Sequence, residues 1–235
     1  MTMKRFYKAA TSVPADTGEG EGFGIALDGR LVKTPLKQPL RAPTKALVQA
    51  IQGEWEAQGD KIDLATMPMT QFLNSAIDRV GMRREPVIDE VSAYGATDLL
   101  CYRADAPDTL VALQEQHWTP PLEWLDRTHG IRLATTIGVS PISQKPDALA
   151  ALRAVVASFD DMRLMALHNA TTVTGSVVLA LSYLAGALDH AGLWAAAMVD
   201  EDFQISRWGE DAEAKKRRDQ VHAELTDLDR WLSLI

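Results

Sequence analysis

The chain has one cysteine, Cys101, among its 235 residues, so no internal disulfide can form and the composition suits a reducing compartment such as the cytoplasm. Metal-ligand spacing is also missing. The five histidines, His117, His129, His168, His190 and His222, make no H-E-x-x-H pair, and no C-x-x-C accompanies them. Ser176 follows Gly175 but lacks the G-x-S-x-G elbow that would expose a nucleophile, so it reads as a buried small residue. The glycines of Gly18-Glu19-Gly20-Glu21-Gly22-Phe23-Gly24 precede a strand pattern, not a helix, and the two glutamates would repel phosphate. Excess positive charge is absent as well: 24 Lys and Arg stand against 32 Asp and Glu, a net charge of -8 that disfavours a nucleic-acid binder.

Long apolar runs are scarce. The basic start, Met1-Thr2-Met3-Lys4-Arg5, has no apolar stretch behind it, so no secretory signal is expected. Residues 164–188 carry no formal charge, but His168, Asn169, Thr171, Thr172, Thr174, Gly175 and Ser176 interrupt them. The apolar piece left, residues 177–188, is too short for the hydrocarbon core of a bilayer and reads as a helix buried in a bundle. No membrane insertion is expected.

What is present divides at about residue 42. With 46% hydrophobic residues the chain can bury a core. Residues 23–27 and 31–33 flank Asp28-Gly29, a dipeptide that supplies the positive φ angles of a tight hairpin, and Pro35, Pro39 and Pro43 punctuate short extended segments. From Thr44 the apolar spacing becomes helical. Leu47, Ile51 and Trp55 make one stripe, and Met69, Phe72, Leu73, Ala76, Ile77 and Val80 make another, with Pro68 where a first turn tolerates it. Further helices are predicted over residues 85–97, 107–118, 121–129, 147–160 and 210–234, with Pro120-Pro121 separating two of them. Residues 131–139 read as a short strand or extended linker. The fold class is therefore α+β: a small β-rich domain over residues 1–42 and a mainly helical domain over residues 43–235.

Candidate chemistry is sparse. His117, beside Trp118 and near Gln114, would need a carboxylate such as Asp98 or Glu123 to work as a general base, and otherwise reads as a helix-end histidine packing on a ring. Lys215-Lys216-Arg217-Arg218 reads as a surface ladder in which Asp211 pairs with Lys215 and Glu213 with Arg217. Six tryptophans are an unusual number, and several neighbour acids or amides, a pattern that suits core anchors or protein interfaces.

A set of short strings spread over nearly the whole chain resembles the ATP12 family of F1 ATPase assembly chaperones. They are Arg5-Phe6-Tyr7-Lys8, Leu27-Asp28-Gly29-Arg30 with Lys33-Thr34-Pro35, Glu54-Trp55 with Gln58, and Met67-Pro68-Met69-Thr70 ahead of Asp78-Arg79. Thr97-Asp98-Leu99-Leu100 with Tyr102-Arg103, Gln114 with Trp118, Gly175-Ser176, Phe203-Gln204 and Trp208-Gly209-Glu210-Asp211 continue the series. The resemblance departs at Thr119, where it leads one to expect an acid.

The resemblance implies an assembly chaperone without catalytic, cofactor or metal residues, whose partner is the free α subunit of F1, held soluble until β replaces it. Gln204, Trp208, Glu210 and Asp211 are the partner-binding residues it suggests. The same residues admit a structural reading, with Trp208 a core ring and the two acids favouring a helix N-terminus. Two other functions stay open at this point: a small-molecule enzyme with a helical pocket, and a stable structural subunit of a larger complex.

Overall fold

The computed structural model describes residues 3–14 and 22–235, so residues 18–21 of the glycine-rich stretch and the first two residues lie outside the described part. It divides into two compact units, one of Met1–Arg84 with Arg230–Ile235 and one of Glu85–Asp229. The class is α+β, with strands confined mostly to the N-terminal region and a larger helical part after it. The division falls at residue 84 and not at the change of composition near residue 42, because the strands bury their inner face on the helices that follow.

In the first unit, β2 (Ala10–Pro14) pairs antiparallel with β3 (Phe23–Leu27), and β3 pairs with β4 (Arg30–Leu31) and β5 (Arg41–Ala42). The hairpin turn is where Asp28-Gly29 predicts it, with φ of 47° and 80°. Asp28 also accepts hydrogen bonds from the backbone N–H of Lys8 and Ala9, which pull its carboxyl below the usual range. β1 (Met3–Lys4) pairs with β6 (Lys61–Ile62).

α1 (Lys45–Glu56) starts at Thr44, whose hydroxyl accepts from the Leu47 N–H, and turns Leu47, Val48, Ile51 and Trp55 inward. α2 (Pro68–Ser75) has Pro68 in its first turn and continues as a wider π-helical turn through Gly81. Its N-terminus is capped from α1. Glu54 accepts from the Met69 N–H at 2.7 Å, the Thr70 N–H at 2.8 Å and the Thr70 hydroxyl at 2.7 Å. Burial pushes the Glu54 carboxyl up and these donors pull it back, so a buried acid is held by a helix terminus.

The second unit is helical. α3 (Arg84–Ala93) leads into it, followed by β7 (Tyr102–Arg103), α4 (Asp108–His129) and β8 (Thr136–Ile137), which pairs parallel with β7. Then come α5 (Pro146–Ala157), α6 (Asp161–Thr174), α7 (Val177–Leu184), α8 (His190–Ala197), α9 (Val199–Trp208) and α10 (Ala212–Leu234), whose last residues belong to the first unit.

Two expectations are corrected. Residues 107–118 and 121–129 form one helix, because α4 runs unbroken through Pro120-Pro121. Proline inside a helix costs a hydrogen bond and a clash, about 3 kcal/mol, and here Trp118, Pro121 and Leu125 are all buried, so packing on both sides of the pair holds the axis together. The uncharged stretch 164–188 is two helices, not one apolar piece after a polar lead-in, with Gly175 in the left-handed region (φ 72°) between them. Every residue from Val177 to Tyr183 is buried in α7, which packs against α4, α6 and α8, but the helix expected over 177–188 stops at Leu184, where the chain turns through Gly186 (φ 73°) and Ala185, Gly186 and Ala187 are exposed. Among the described residues no helix is long and apolar enough to cross a membrane.

Candidate functional site

Trp208, the last residue of α9, is 78% exposed, so the reading that makes it a core ring is overturned. It lies at one end of an open groove of about 450 Å³, with Phe203 and Gln204 one turn earlier on α9. Leu110 of α4, Tyr102 of β7 and Val139 after β8 add to the apolar lining, with Leu99 and Pro107 beside them. Val139 is 96% exposed, so the groove has a bare apolar side chain on the turn after β8 as well as on α9, and Ile137 of β8, outside the lining, is 65% exposed.

Polar residues hold the floor. Gln114 is buried on α4; its amide oxygen accepts from the Ala104 N–H at 2.8 Å and its amide nitrogen donates to Asp200 of α9 at 2.7 Å. Arg103 donates to the carbonyls of Leu100 and Gln114, both at 2.9 Å, and its guanidinium sits 5.4 Å from the Trp118 ring centroid. The Trp118 indole N–H donates to the Ala196 carbonyl at 2.7 Å. The Gly138 N–H donates to the Arg103 carbonyl at 2.8 Å, which fixes the turn that presents Val139. These groups are tied to backbone and side-chain partners, so the groove offers hydrophobic surface on a hydrogen-bonded polar frame, an arrangement suited to binding.

The turn after Trp208 is built differently from the sequence expectation. Gly209 has φ 82° and ψ 169°, a region open essentially only to glycine. Asp211 caps α10, accepting from the N–H groups of Glu213 at 2.9 Å and Ala214 at 2.8 Å, so its helix-terminus reading holds. Glu210 pairs with Arg218 at 3.4 Å, and Arg218 also reaches Asp202 at 2.6 Å. The predicted pairs Asp211 with Lys215 and Glu213 with Arg217 do not form: Lys215 pairs with Asp219 at 3.0 Å and Arg217 with Glu201 at 2.9 Å. The reason is that Asp211 is already the cap, while the acids of the first turn of α9 face the basic run of α10. Thus Gln204 and Trp208 line the groove, and Glu210 and Asp211 hold the turn that carries the ring.

The residues of the enzymatic alternative are placed elsewhere. Asp98 is fully buried, with its oxygens accepting from the Ser176 hydroxyl at 2.8 Å and the N–H groups of Leu100 at 3.0 Å and Val178 at 3.1 Å. Burial pushes it up to about 6 despite those donors. Ser176 in turn caps α7 through the Leu179 N–H at 3.0 Å. Glu123 is exposed on α4, and His117 is half-buried there beside Thr119. Sequence reasoning picked out Gln204 and Trp208 but missed the groove itself, because Tyr102, Val139 and Trp208 come from distant segments and residues 131–139 offer only β-branched residues without a periodic pattern.

Most strings of the resemblance prove to be internal struts. Arg5 donates to the carbonyls of Tyr7, Lys8 and Gln58, Asp78 binds the Thr34 hydroxyl at 2.6 Å and the Leu36 N–H at 2.9 Å, and Gln58 accepts from the Asp63 N–H at 2.7 Å.

Residues 4–126 match the family model described as ATP12 chaperone protein. The mitochondrial Atp12 protein of Schizosaccharomyces pombe is 24% identical over 223 residues, covering 88% of this chain and 74% of that one. Among solved structures, Atp12 from Paracoccus denitrificans superposes with a TM-score of 0.91 at 40% identity, over 99% of this chain and 98% of that one. The Atu1473 protein from Agrobacterium tumefaciens gives 0.88 at 39% identity, over 98% and 85% of the two chains. With the family model covering more than half its length and a 40% identical structure nearly all of it, this chain belongs to the ATP12 chaperone family.

Proposed function

We propose that this chain is an assembly chaperone of ATP synthase that works in the cytoplasm, binds the unassembled α subunit of the F1 ATPase, and keeps it soluble until a β subunit displaces it. The observation that carries the reading is the exposed Trp208 ring beside an apolar groove. A tryptophan left in water gains most by being covered, and buried aromatic anchors supply most of the energy of protein interfaces. An unassembled subunit presents the apolar surface of a permanent interface, which aggregates when bare. Gln204 and Trp208 are the contact residues in this reading, with Glu210 and Asp211 at the rim, where charge acts on encounter more than on affinity. Covering a surface and yielding it to a competitor requires no covalent step, cofactor or metal.

The test is co-expression with the F1 α subunit. Trp208→Ala is expected to lower soluble α subunit severalfold and to weaken capture of purified α about tenfold or more, as loss of a hot-spot ring does. Addition of β should release α from the unsubstituted chain. A folded Trp208→Ala chain that keeps α soluble as well as the parent sinks the assignment of the groove, and failure of the parent to capture α sinks the function.

A further inference from the structure

The first unit carries a second groove, of about 580 Å³, built on a ladder of aromatic edges. Trp55 and Tyr7 are buried at its base with ring centroids 5.6 Å apart, and the Tyr7 hydroxyl donates to the Trp55 carbonyl at 2.6 Å. Phe6 continues the ladder, 5.5 Å from Tyr7 and edge-on, yet it is 63% exposed, and Leu31 across the groove is 62% exposed. The ladder is therefore rigid at one end and bare at the other. Leu31 lies on β4, which ends the strand order β2-β3-β4 and pairs with β3 alone among the described strands.

Charge separates this groove from the one beside Trp208. Arg30 and Lys33 stand on its rim and have no ion-pair partner among the described residues. Asp28, the one acid of the lining, is turned to the Lys8 and Ala9 N–H groups. The imbalance extends to the whole unit, which has 13 Lys and Arg against 9 Asp and Glu, while the other unit has 11 against 23.

We propose that this groove is a docking site for an extended polypeptide segment that alternates apolar with acidic residues. The apolar side chains would cover Phe6 and Leu31, the acids would meet Arg30 and Lys33, and the segment would run along the open edge of β4. A second copy of this chain fits less well. A twofold contact would set each cationic rim against its own duplicate.

Fluorescence anisotropy with two labelled ten-residue peptides tests the site on the full chain. One peptide alternates Leu and Val with Glu, and the other has Lys in place of Glu. The acidic peptide is expected to bind about tenfold more tightly at low salt, with the advantage shrinking at 0.15 M, where the Debye length is about 8 Å. Arg30→Glu with Lys33→Glu should reverse the preference, and Phe6→Ser with Leu31→Ser should weaken the acidic peptide about tenfold. Trp208→Ala should leave it unchanged, so this result is independent of the fate of the α-subunit assignment. Equal binding of the two peptides, or unaltered preference in the charge-reversed chain, overturns the proposal. So does sedimentation showing a dimer that Phe6→Ser with Leu31→Ser dissolves, since the occupant would then be a second copy.

Discussion

The α6–α7 junction and the α9–α10 turn share one covalent plan. In each, a helix stops at a glycine of positive φ, Gly175 at 72° and Gly209 at 82°, and a capping side chain opens the next helix. Their surroundings are opposite. At the first, Ser176 is fully buried and bonded to Asp98, which also accepts from the N–H groups of Leu100 in its own turn and of Val178 at the start of α7. At the second, Asp211 caps in solvent and the adjoining Trp208 ring lies bare. A buried polar group must be satisfied from within, so the first turn is fixed by its own interior. Trp208 gains nothing from the fold that holds it, and its value lies in what covers it.

The largest effect expected from that contrast is at Asp98. Replacing it by alanine leaves the Ser176 hydroxyl and the Leu100 and Val178 N–H groups buried without their acceptor, and breaking such a network costs about 3–5 kcal/mol. Urea denaturation of Asp98→Ala measures the loss. A change under about 1 kcal/mol would erase the distinction between the two turns.

Acid sharpens the same comparison. Burial raises Asp98 from its ordinary 3.8 to about 6, so the folded chain takes up this proton more readily than the unfolded one. Its titration therefore adds stability as pH falls: the contribution is complete below about 3.8 and is lost as pH rises through about 6, a difference on the order of 3 kcal/mol. Asp28, held below its usual range, opposes it and Glu54, raised by burial, adds to it, so the readout is the difference in unfolding free energy between the parent and Asp98→Asn from pH 4 to 7. That difference should grow as pH falls through the window. A difference flat with pH would mean that Asp98 titrates as an ordinary carboxyl.

Local signals in the sequence were legible wherever one segment decides its own structure. Asp28-Gly29 specified its turn, Thr44 and Pro68 marked helix starts, and the apolarity of residues 177–188 marked the buried helix, although α7 ends at Leu184. Signals failed where distant packing outweighs local preference. Pro120-Pro121 should stop a helix, but burial of Trp118 and Leu125 carries α4 through. The polar residues of α6 concealed it because Thr172 and Thr174 satisfy their hydroxyls on carbonyls one turn back, at 2.9 and 2.7 Å. The parallel pairing of β7 with β8 has no periodic signature at all. Of the four proposed contact residues, the sequence could pick out the string but not separate Trp208, which is bare, from Asp211, which is engaged as a cap.

The smallest expected effect sits at that last position and is the most discriminating. Trp208 ends its helix and is exposed, so Trp208→Ala removes little that the fold uses, and its unfolding free energy should stay within about 0.5 kcal/mol of the parent. Alanine is also the better helix former, by a few tenths of a kcal/mol, which offsets part of any lost contact with Leu110 or Val139. Near-silence in urea denaturation beside a large loss of α-subunit capture places the ring in the interface. A stability loss of 2 kcal/mol or more, the size of a buried aromatic's contribution, would show instead that Trp208 packs on the groove in solution. The two turns would then be two versions of one structural device, with no free anchor between them.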